Sequence, residues 1–369
     1  MSRKRGHGGP GGLTPARRLA VGLGAAAATL AVVAVVVGLW AIWAYSGPGP
    51  AAERGGATTV VLRQGASLSE IAASLQRAGV VRSSSVFKAA AQLTGAAREL
   101  KAGEYAFPSH ASMSRVLQKV RNGEVVRRLL SIPEGFTSDM VADVLNRATA
   151  LTGEAPLAPE GAILPDTYQY QMGDTRAGIL KRMMDARDET LASLWARRQP
   201  GLPFTSPDEA VTLASVVEKE TGIASERPRV AAVFVNRLRA GMRLESDPTV
   251  IYGISRGRPL GRGLRQSEIT AETPYNTYLV AGLPPTPIAN PGRAALAAVL
   301  DPPKTDELFF VADGTGGHVF AKTFQEHTRN VIRWRAVEKA RVAAAVAAAT
   351  STAATAVAAE ASASAAAAK

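Results

Sequence analysis

The sequence predicts an α+β protein that carries a single transmembrane helix at its N-terminal end. Three observations predict this: an uncharged apolar stretch over 19–45, a strand, glycine turn and helix that occur twice after it, and amphipathic helices separated by proline-rich loops beyond residue 210. We therefore expect a small α+β module over 57–150 and a larger α+β domain over 151–338.

The composition excludes several kinds of site and partner. With 369 residues, 46% of them hydrophobic, the chain is long enough for two or three domains with cores of their own. It has no cysteine, which excludes disulfides, thiolate metal sites and cysteine nucleophiles. The formal net charge is +12, but much of the excess lies between residues 3 and 18, before the first acidic residue, Glu53. Because the rest of the chain lacks basic blocks, we expect no nucleic-acid partner.

The apolar stretch over 19–45 is long enough to cross a bilayer. As a helix it would span roughly 40 Å, which the hydrocarbon core accommodates if the helix tilts. Cations precede it, and Trp40, Trp43 and Tyr45 lie at its far end, where aromatic rings favour the interface. We expect residues 1–18 in the cytoplasm and the later domains in the periplasm, anchored to the inner membrane. The alternative is a cleaved signal peptide, but the stretch is long and lacks a clear cleavage site.

Two segments of low complexity flank the predicted domains. Residues 46–56 are rich in glycine, proline and alanine, which is typical of a linker. Residues 339–369 are mostly alanine, so they favour a helix by propensity but offer no large side chains for packing. We interpret them as a low-complexity tail.

The predicted module over 57–150 begins with a β-branched run and a turn at Gly65, followed by a capping box of Ser67 and Glu70 at the start of an amphipathic helix. The same pattern returns around Gly135. The first copy resembles the opening of a LysM module, a small fold that grips glycans containing N-acetylglucosamine. The alternative is a module without a ligand, because such units are common.

The strongest chemical signal lies in a predicted helix over 210–222, which contains two glutamates near its end. At 100° per residue Glu220 falls inside the apolar stripe, whereas Glu218 faces away from it and is expected to be a solvated surface residue. Loss of hydration disfavours the charged form of a carboxyl and raises its pKa, as a general acid requires. The alternative for Glu220 is a structural ion pair with Arg227 or Arg237.

A second helix is predicted over 226–239, then a turn and a strand over 241–253, then loops rich in tyrosine, asparagine and proline. Rigid loops of this composition suit a groove for a neutral, hydroxyl-rich ligand. Five polar side chains are candidates for contacting such a ligand. They are Asn236, Asp247, Tyr275, Asn276 and Tyr278. The alternative for each is a role in turns or packing.

Several motifs in this region resemble the YceG-like family of endolytic murein transglycosylases. They lie at 214–221, 226–228, 233–238, 242–253, 275–278, 282–285, 290–292 and 310–318, with further similarity at 132–135 and 164–168. The resemblance covers about residues 20 to 335. It implies an α+β catalytic domain and assigns the catalytic acid to the glutamate of the Glu-Thr pair, here Glu220. One departure is Glu245, where the family is expected to have glutamine.

The resemblance also implies a reaction on peptidoglycan glycan strands that uses one catalytic carboxyl and no cofactor. It places this reaction near the membrane, where peptidoglycan synthases are the expected partners. His318 and His327 lack a third ligand at metal spacing, so we expect no metal. Two alternatives stay open. One is a membrane-tethered peptidoglycan-binding or scaffolding protein without activity. The other is a hydrolase that uses Glu226 or Asp247 as a second carboxylate.

Overall fold

The chain has a mixed helix and sheet fold, seen in a computed structural model that describes residues 15–53 and 55–367, and the side chains of 23–53 and 55–345. It divides into two compact units, with the division between residues 127 and 128 of the chain. The sequence places this boundary at residue 150 instead. The second strand, turn and helix pattern therefore lies in the second unit.

The first unit begins with helix α1 (Pro15–Ser46). Its segment Leu23–Ser46, with a mean hydropathy of 2.4, is the one helix among the described residues that is long and apolar enough to cross a membrane. The most apolar part of this segment is not buried inside the protein. This is compatible with a single-pass membrane anchor.

The rest of the first unit is a small two-stranded sheet covered by short helices. Strand β1 (Ala57–Leu62) pairs antiparallel with β2 (Gly103–Pro108), with Ala57 opposite Pro108. The helices are α2 (Leu68–Arg77), α3 (Ser84–Leu93) and α4 (Met113–Asn122). The predicted capping box of Ser67 and Glu70 at the start of α2 is confirmed. The core of this unit is built around Leu75, Phe87, Tyr105 and Val116.

The segment that follows α1 is bound to this small fold. The Gly49 N–H donates to the His110 carbonyl at 3.1 Å, and the His110 N–H donates to the Pro50 carbonyl at 3.0 Å. The Arg82 guanidinium lies 5.0 Å from the centre of the Trp43 ring and donates to the Pro48 carbonyl at 3.3 Å. The end of the apolar helix is thus joined to the module by specific contacts.

The division between the units falls at the first residue of β3 (Arg127–Ser131), which pairs with β4 (Thr167–Gln171). Helix α5 (Ser138–Arg147) lies between these two strands in the chain. Five further helices come next in the chain. They are α6 (Arg176–Ala196), α7 (Pro207–Glu220), α8 (Arg227–Arg239), α9 (Asp247–Ser255) and α10 (Gln266–Ile269). The unit ends with α11 (Arg293–Leu300), the antiparallel pair β5 (Phe309–Ala312) and β6 (His318–Ala321), and α12 (Phe324–Ala367).

Helix α7 forms the centre of the second unit and packs against α8 and α11. Its start is fixed by Ser206 and Glu209, which form a capping box, and by Pro207 in the first turn. Every residue from 210 to 218 is buried, so the helix has no solvated face along this stretch. It ends at Glu220, because Thr221 is extended.

The predicted strand over 241–253 is wrong: residues 247–255 form helix α9. The run Val250-Ile-Tyr252 favours a strand by propensity. However, Ser246 before the helix and Pro248 in its first turn are typical of a helix start, and this local signal prevails. The helix starts directly beside the end of α7, since the two elements pack together.

Candidate active site

The two glutamates at the end of α7 lie in different surroundings. Glu218 is buried, and its carboxylate accepts hydrogen bonds from the Gly292 N–H at 2.9 Å and from Arg227 Nη2 at 3.2 Å. The expectation of a solvated Glu218 is therefore wrong. The reason is that α7 is buried on all sides at this point, so a residue facing away from the apolar stripe still faces protein.

Glu218 and Arg227 form the buried part of an ionic cluster that ties three segments together. Arg227 contacts Glu134 at 3.4 Å as well as Glu218, and Lys219 donates to the Gly135 carbonyl at 3.3 Å. A side chain at Gly292 would overlap the Glu134 carboxyl, which explains glycine at that position. Burial raises the pKa of Glu218. The hydrogen bond from the Gly292 N–H and the charge of Arg227 act in the opposite direction, but the effect of burial is larger. The cluster fixes the loop at 133–135 against the end of α7.

Glu220 lies on the other side of the helix end and is half-buried. Burial is the largest cause of its shifted pKa, which is raised to about 7, and the nearby Asp247 charge acts in the same direction. The Ser246 hydroxyl, which donates to Glu220 Oε1, and the Arg237 charge lower it. Among the described residues Glu220 forms no ion pair. The alternative of a structural ion pair with Arg227 or Arg237 is therefore wrong.

Two of the predicted ligand-contacting residues share the surroundings of Glu220. The Tyr278 hydroxyl donates to Asp247 Oδ1 at 2.7 Å, and Asp247 is exposed at the start of α9. Burial, followed by the hydrogen bond to Asp247 and the nearby carboxylates, raises the pKa of Tyr278 well above its ordinary value. Its hydroxyl therefore stays protonated at neutral pH. Acid, carboxylate and phenol are grouped at one point of the surface.

The other three predicted residues contact loops of the second unit. Asn276 is fully buried, and its amide donates to the carbonyls of Ile269 and Ala271, both at 2.8 Å. Asn236 donates to the carbonyls of Thr305 and Glu307. Tyr275 packs edge-on against Tyr252 and shares a hydrogen bond with Thr286. These contacts shape the loops, and a direct role in ligand binding stays a prediction.

Glu226, a candidate second carboxylate, is placed against the β5–β6 hairpin. It accepts hydrogen bonds from the His318 N–H and shares one with His318 Nδ1, both at 2.8 Å. Burial acts to raise the pKa of Glu226, but the hydrogen bonds to His318 outweigh it and the pKa is lowered. A lowered pKa keeps Glu226 ionised at neutral pH, which is the form that a second carboxylate needs, but both of its oxygens are hydrogen-bonded to His318.

Sequence reasoning missed Ser246, which directly contacts the candidate acid. Its only local signal is its place before Asp-Pro at a helix start, and the reading of 241–253 as a strand concealed that signal. It also missed Glu160, a half-buried carboxyl whose pKa is raised by burial and which accepts hydrogen bonds from Ser138 and Tyr252. Neither contact follows from spacing, because both depend on the tertiary fold.

Comparison with known proteins identifies the family. The model of the YceG-like family matches residues 60–333. A protein named endolytic murein transglycosylase from Streptococcus pneumoniae (strain D39) is 29% identical over 322 residues, and one of the same name from Bacillus subtilis (strain 168) is 28% identical over 312 residues. The alignments cover 74% and 75% of this chain, respectively. The chain spans 57% of the length of the S. pneumoniae relative and 85% of that of the B. subtilis relative.

Among solved structures, a yceG-like protein from Listeria monocytogenes matches with 28% sequence identity and a TM-score of 0.47, covering 74% of this chain and 98% of that one. The family model spans well over half of the sequence and includes the end of α7 and the loops around it. The chain belongs to the YceG-like family.

Proposed function

We propose that this chain is an endolytic lytic transglycosylase of peptidoglycan and that Glu220 is its one catalytic carboxyl. The observation that carries the proposal is the Glu220 carboxyl itself: it is half-buried, lacks an ion pair among the described residues and has a pKa of about 7. It can therefore hold a proton near neutral pH and also release it. The names of the relatives support the same activity.

The proposed reaction needs one group that acts first as an acid and then as a base. Protonated Glu220 donates its proton to the oxygen between N-acetylmuramic acid and N-acetylglucosamine, and the bond from that oxygen to C1 of muramic acid breaks. The Glu220 carboxylate then takes the proton of the muramic C6 hydroxyl, whose oxygen bonds to C1 and forms a 1,6-anhydro end. The attack is intramolecular, so no water is consumed and no enzyme nucleophile is required.

The neighbours of Glu220 suit this cycle. The Asp247 carboxylate raises the pKa of Glu220, which favours the acid form before substrate arrives. We place the sugar against Tyr278 and the exposed side of Asp247. The Tyr278 hydroxyl donates a hydrogen bond to Asp247. Asn236, Tyr275 and Asn276 hold loops of the second unit, and we propose that these loops also contact the sugar.

We further propose that α1 anchors the chain in the inner membrane, with the cations before it in the cytoplasm and both units in the periplasm. In this orientation the protein meets newly made glycan strands, close to the synthases that produce them. The first unit, whose opening segment resembles that of a LysM module, would hold the same strands.

The test is digestion of purified murein by the full chain in detergent, with the products identified by mass spectrometry. We expect fragments with anhydro ends. The Glu220→Gln variant should lose this activity by about 10²–10⁴-fold or more, because the amide cannot donate the proton, while its fold and its binding of murein persist.

Glu218→Gln is the matched control, and its thermal unfolding must be measured because Glu218 is buried in an ionic cluster. Its activity per folded molecule should stay within about tenfold of the wild-type value. Equal release by wild type and Glu220→Gln would reject the assignment of the acid. Reducing ends instead of anhydro ends would indicate a hydrolase, and binding without any product would indicate a scaffolding protein.

A further inference from the structure

Ser246 is the side chain that contacts the Glu220 carboxyl directly. Its hydroxyl donates to Glu220 Oε1 at 2.5 Å. Ser246 is 1% exposed, so bulk water does not compete for this hydroxyl. Among the described residues no other side chain forms a hydrogen bond with the Glu220 carboxyl. The carboxyl therefore has one oxygen, Oε1, that is held by a hydrogen bond. The other oxygen, Oε2, has no hydrogen-bond partner among the described residues.

The backbone of Ser246 is held from both sides by buried hydroxyl groups. The Ser246 N–H donates to Thr277 Oγ1 at 3.0 Å, and the Thr249 hydroxyl donates to the Ser246 carbonyl at 2.6 Å. These two threonine hydroxyls also contact each other at 2.9 Å. Because the backbone groups of Ser246 are occupied in this way, its hydroxyl is the group left to reach α7.

The segment before Ser246 is fixed as well. Arg237 Nη1 donates to the carbonyls of Arg243 and Leu244 at 2.9 and 3.0 Å, and it lies 3.0 Å from the Glu245 carboxylate. Glu245 has a φ of 54°, in the left-handed region that residues other than glycine seldom adopt. Such a conformation persists only where the surroundings determine it. The chain thus turns sharply one residue before Ser246, under the control of Arg237.

We propose that Ser246 is a positioning residue that fixes Oε1 of Glu220 and thereby directs the catalytic proton to Oε2. A serine hydroxyl has a single proton to donate. It can donate that proton to Oε1 both when Glu220 is ionised and when Oε2 carries the proton. The same hydrogen bond then persists through the acid step and the base step, and the carboxyl does not rotate between them. This proposal rests on the function proposed above for Glu220.

Other charged and titratable groups around Glu220 act on its protonation too. Asp247 faces it from α9, Arg237 from α8, and Tyr278 from the loop after Asn276, while Glu245 lies beside Arg237. Removing the Ser246 hydroxyl leaves these groups in place. Because that hydroxyl stabilises the carboxylate, its removal should raise the pKa of Glu220 further.

The experiment compares Ser246→Ala and Ser246→Thr with wild type in the full chain, as profiles of kcat and KM against pH. In Ser246→Ala we expect kcat to fall about tenfold or more with KM within about twofold, because the acid loses its orientation and not its substrate. The fall of kcat at high pH should begin about one pH unit higher than in wild type. Ser246→Thr keeps the hydroxyl and should restore most of kcat and the wild-type profile.

Ser215→Ala is the matched control, because it removes another fully buried hydroxyl, from the middle of α7. The Ser215 hydroxyl donates to the Thr212 carbonyl at 2.7 Å and accepts from the Ile288 N–H at 2.9 Å. This variant should unfold at a lower temperature without moving the pH profile. A purely structural role for Ser246 would instead give it the behaviour of Ser215→Ala, with an unmoved profile, and that result would overturn the proposal.

A second measurement does not depend on activity. In full chains carrying ¹³C-labelled glutamate carboxyls, the Glu220 signal is the one that Glu220→Gln lacks. Its titration midpoint should be higher in Ser246→Ala than in wild type, and an unchanged midpoint would overturn the proposal. If wild type releases no anhydro ends, the proposed function fails, and this titration still decides whether Ser246 controls the protonation of Glu220.

Discussion

The two carboxyl groups at the end of α7 are two residues apart, and burial raises the pKa of both, yet their partners differ. The Glu218 side chain is 4% exposed and contacts the Arg227 guanidinium and a backbone N–H. Glu220 is half-buried and has one serine hydroxyl as its side-chain partner among the described residues. The cost of burial is therefore offset at Glu218 by a backbone N–H and a paired guanidinium, and at Glu220 by a hydroxyl and the charge of Arg237, which forms no ion pair with Glu220.

We interpret this difference as the one between a structural carboxyl and a reactive one. A buried ion pair that ties loops together must keep its charges, since a lost partner leaves an uncompensated charge behind. A carboxyl without a cationic partner can change between its acid and carboxylate forms. It does this most readily at a pH close to its pKa. Three predictions test the contrast on stability and on protonation, from the largest expected effect to the smallest.

Arg227→Ala should have the largest effect, because it leaves Glu218 buried without its cation. We expect the free energy of unfolding of the second unit to fall by about 3–5 kcal/mol, measured by urea unfolding. Arg258→Ala is the control: Arg258 pairs with Asp143, but both side chains are about half exposed, so its removal should cost less than about 1 kcal/mol. Equal losses in the two variants would mean that the Glu218 pair is no more structural than a surface pair.

Glu220→Gln should change stability in the opposite direction, and only at high pH. The folded pKa of Glu220, about 7, is above its ordinary value of 4.5, so its neutral form contributes stability that is complete below pH 4.5 and is lost as pH rises through 7. Glutamine stays neutral throughout. Urea unfolding should therefore show the variant about 2–3 kcal/mol more stable than wild type at pH 8, and nearly equal at pH 4. A variant less stable at pH 8 would contradict the burial of the carboxyl.

Asp247→Asn should have the smallest effect, on the protonation of Glu220. Its negative charge raises the pKa of Glu220, so its removal should lower that pKa. The fall in kcat at high pH should then begin at lower pH than in wild type, by less than about one pH unit, opposite in sign to the change in Ser246→Ala. Glu272→Gln, an exposed carboxyl on a loop, is the control. A shift to higher pH in Asp247→Asn would show that Asp247 acts mainly through its bond to Tyr278.

Much of the fold around α7 could be predicted from local sequence signals. The predicted helices over 210–222 and 226–239 correspond to α7 and α8, and the first β-branched run corresponds to β1. These elements have clear periodicity and start signals. The strand prediction over 241–253 is wrong because strand propensity and helix-start residues conflict there. The packing of α9 against α7 is a tertiary contact, which local signals do not show.

The candidate site was only partly predictable for the same reason. The helical wheel places Glu220 in the apolar stripe, but it cannot show that α7 is buried all round, so it gives the wrong surroundings for Glu218. The hydrogen bond between Ser246 and Glu220 joins residues 26 positions apart, and it depends on how Arg237 and Thr277 fix the chain between them. No spacing rule in the sequence specifies such a contact.

The contacts of Arg82 with Trp43 and with the Pro48 carbonyl join the end of α1 to the fold that follows it. The glycine and proline residues that follow α1 are typical of a flexible linker. However, these contacts and the hydrogen bonds of His110 fix residues 47–50 in one conformation. Extra residues inserted after Pro50 would leave these contacts in place. The Arg82→Ala change would remove the contacts with Trp43 and Pro48 without altering the chain length. If α1 spans a membrane as proposed above, these contacts would keep the small fold close to the membrane surface.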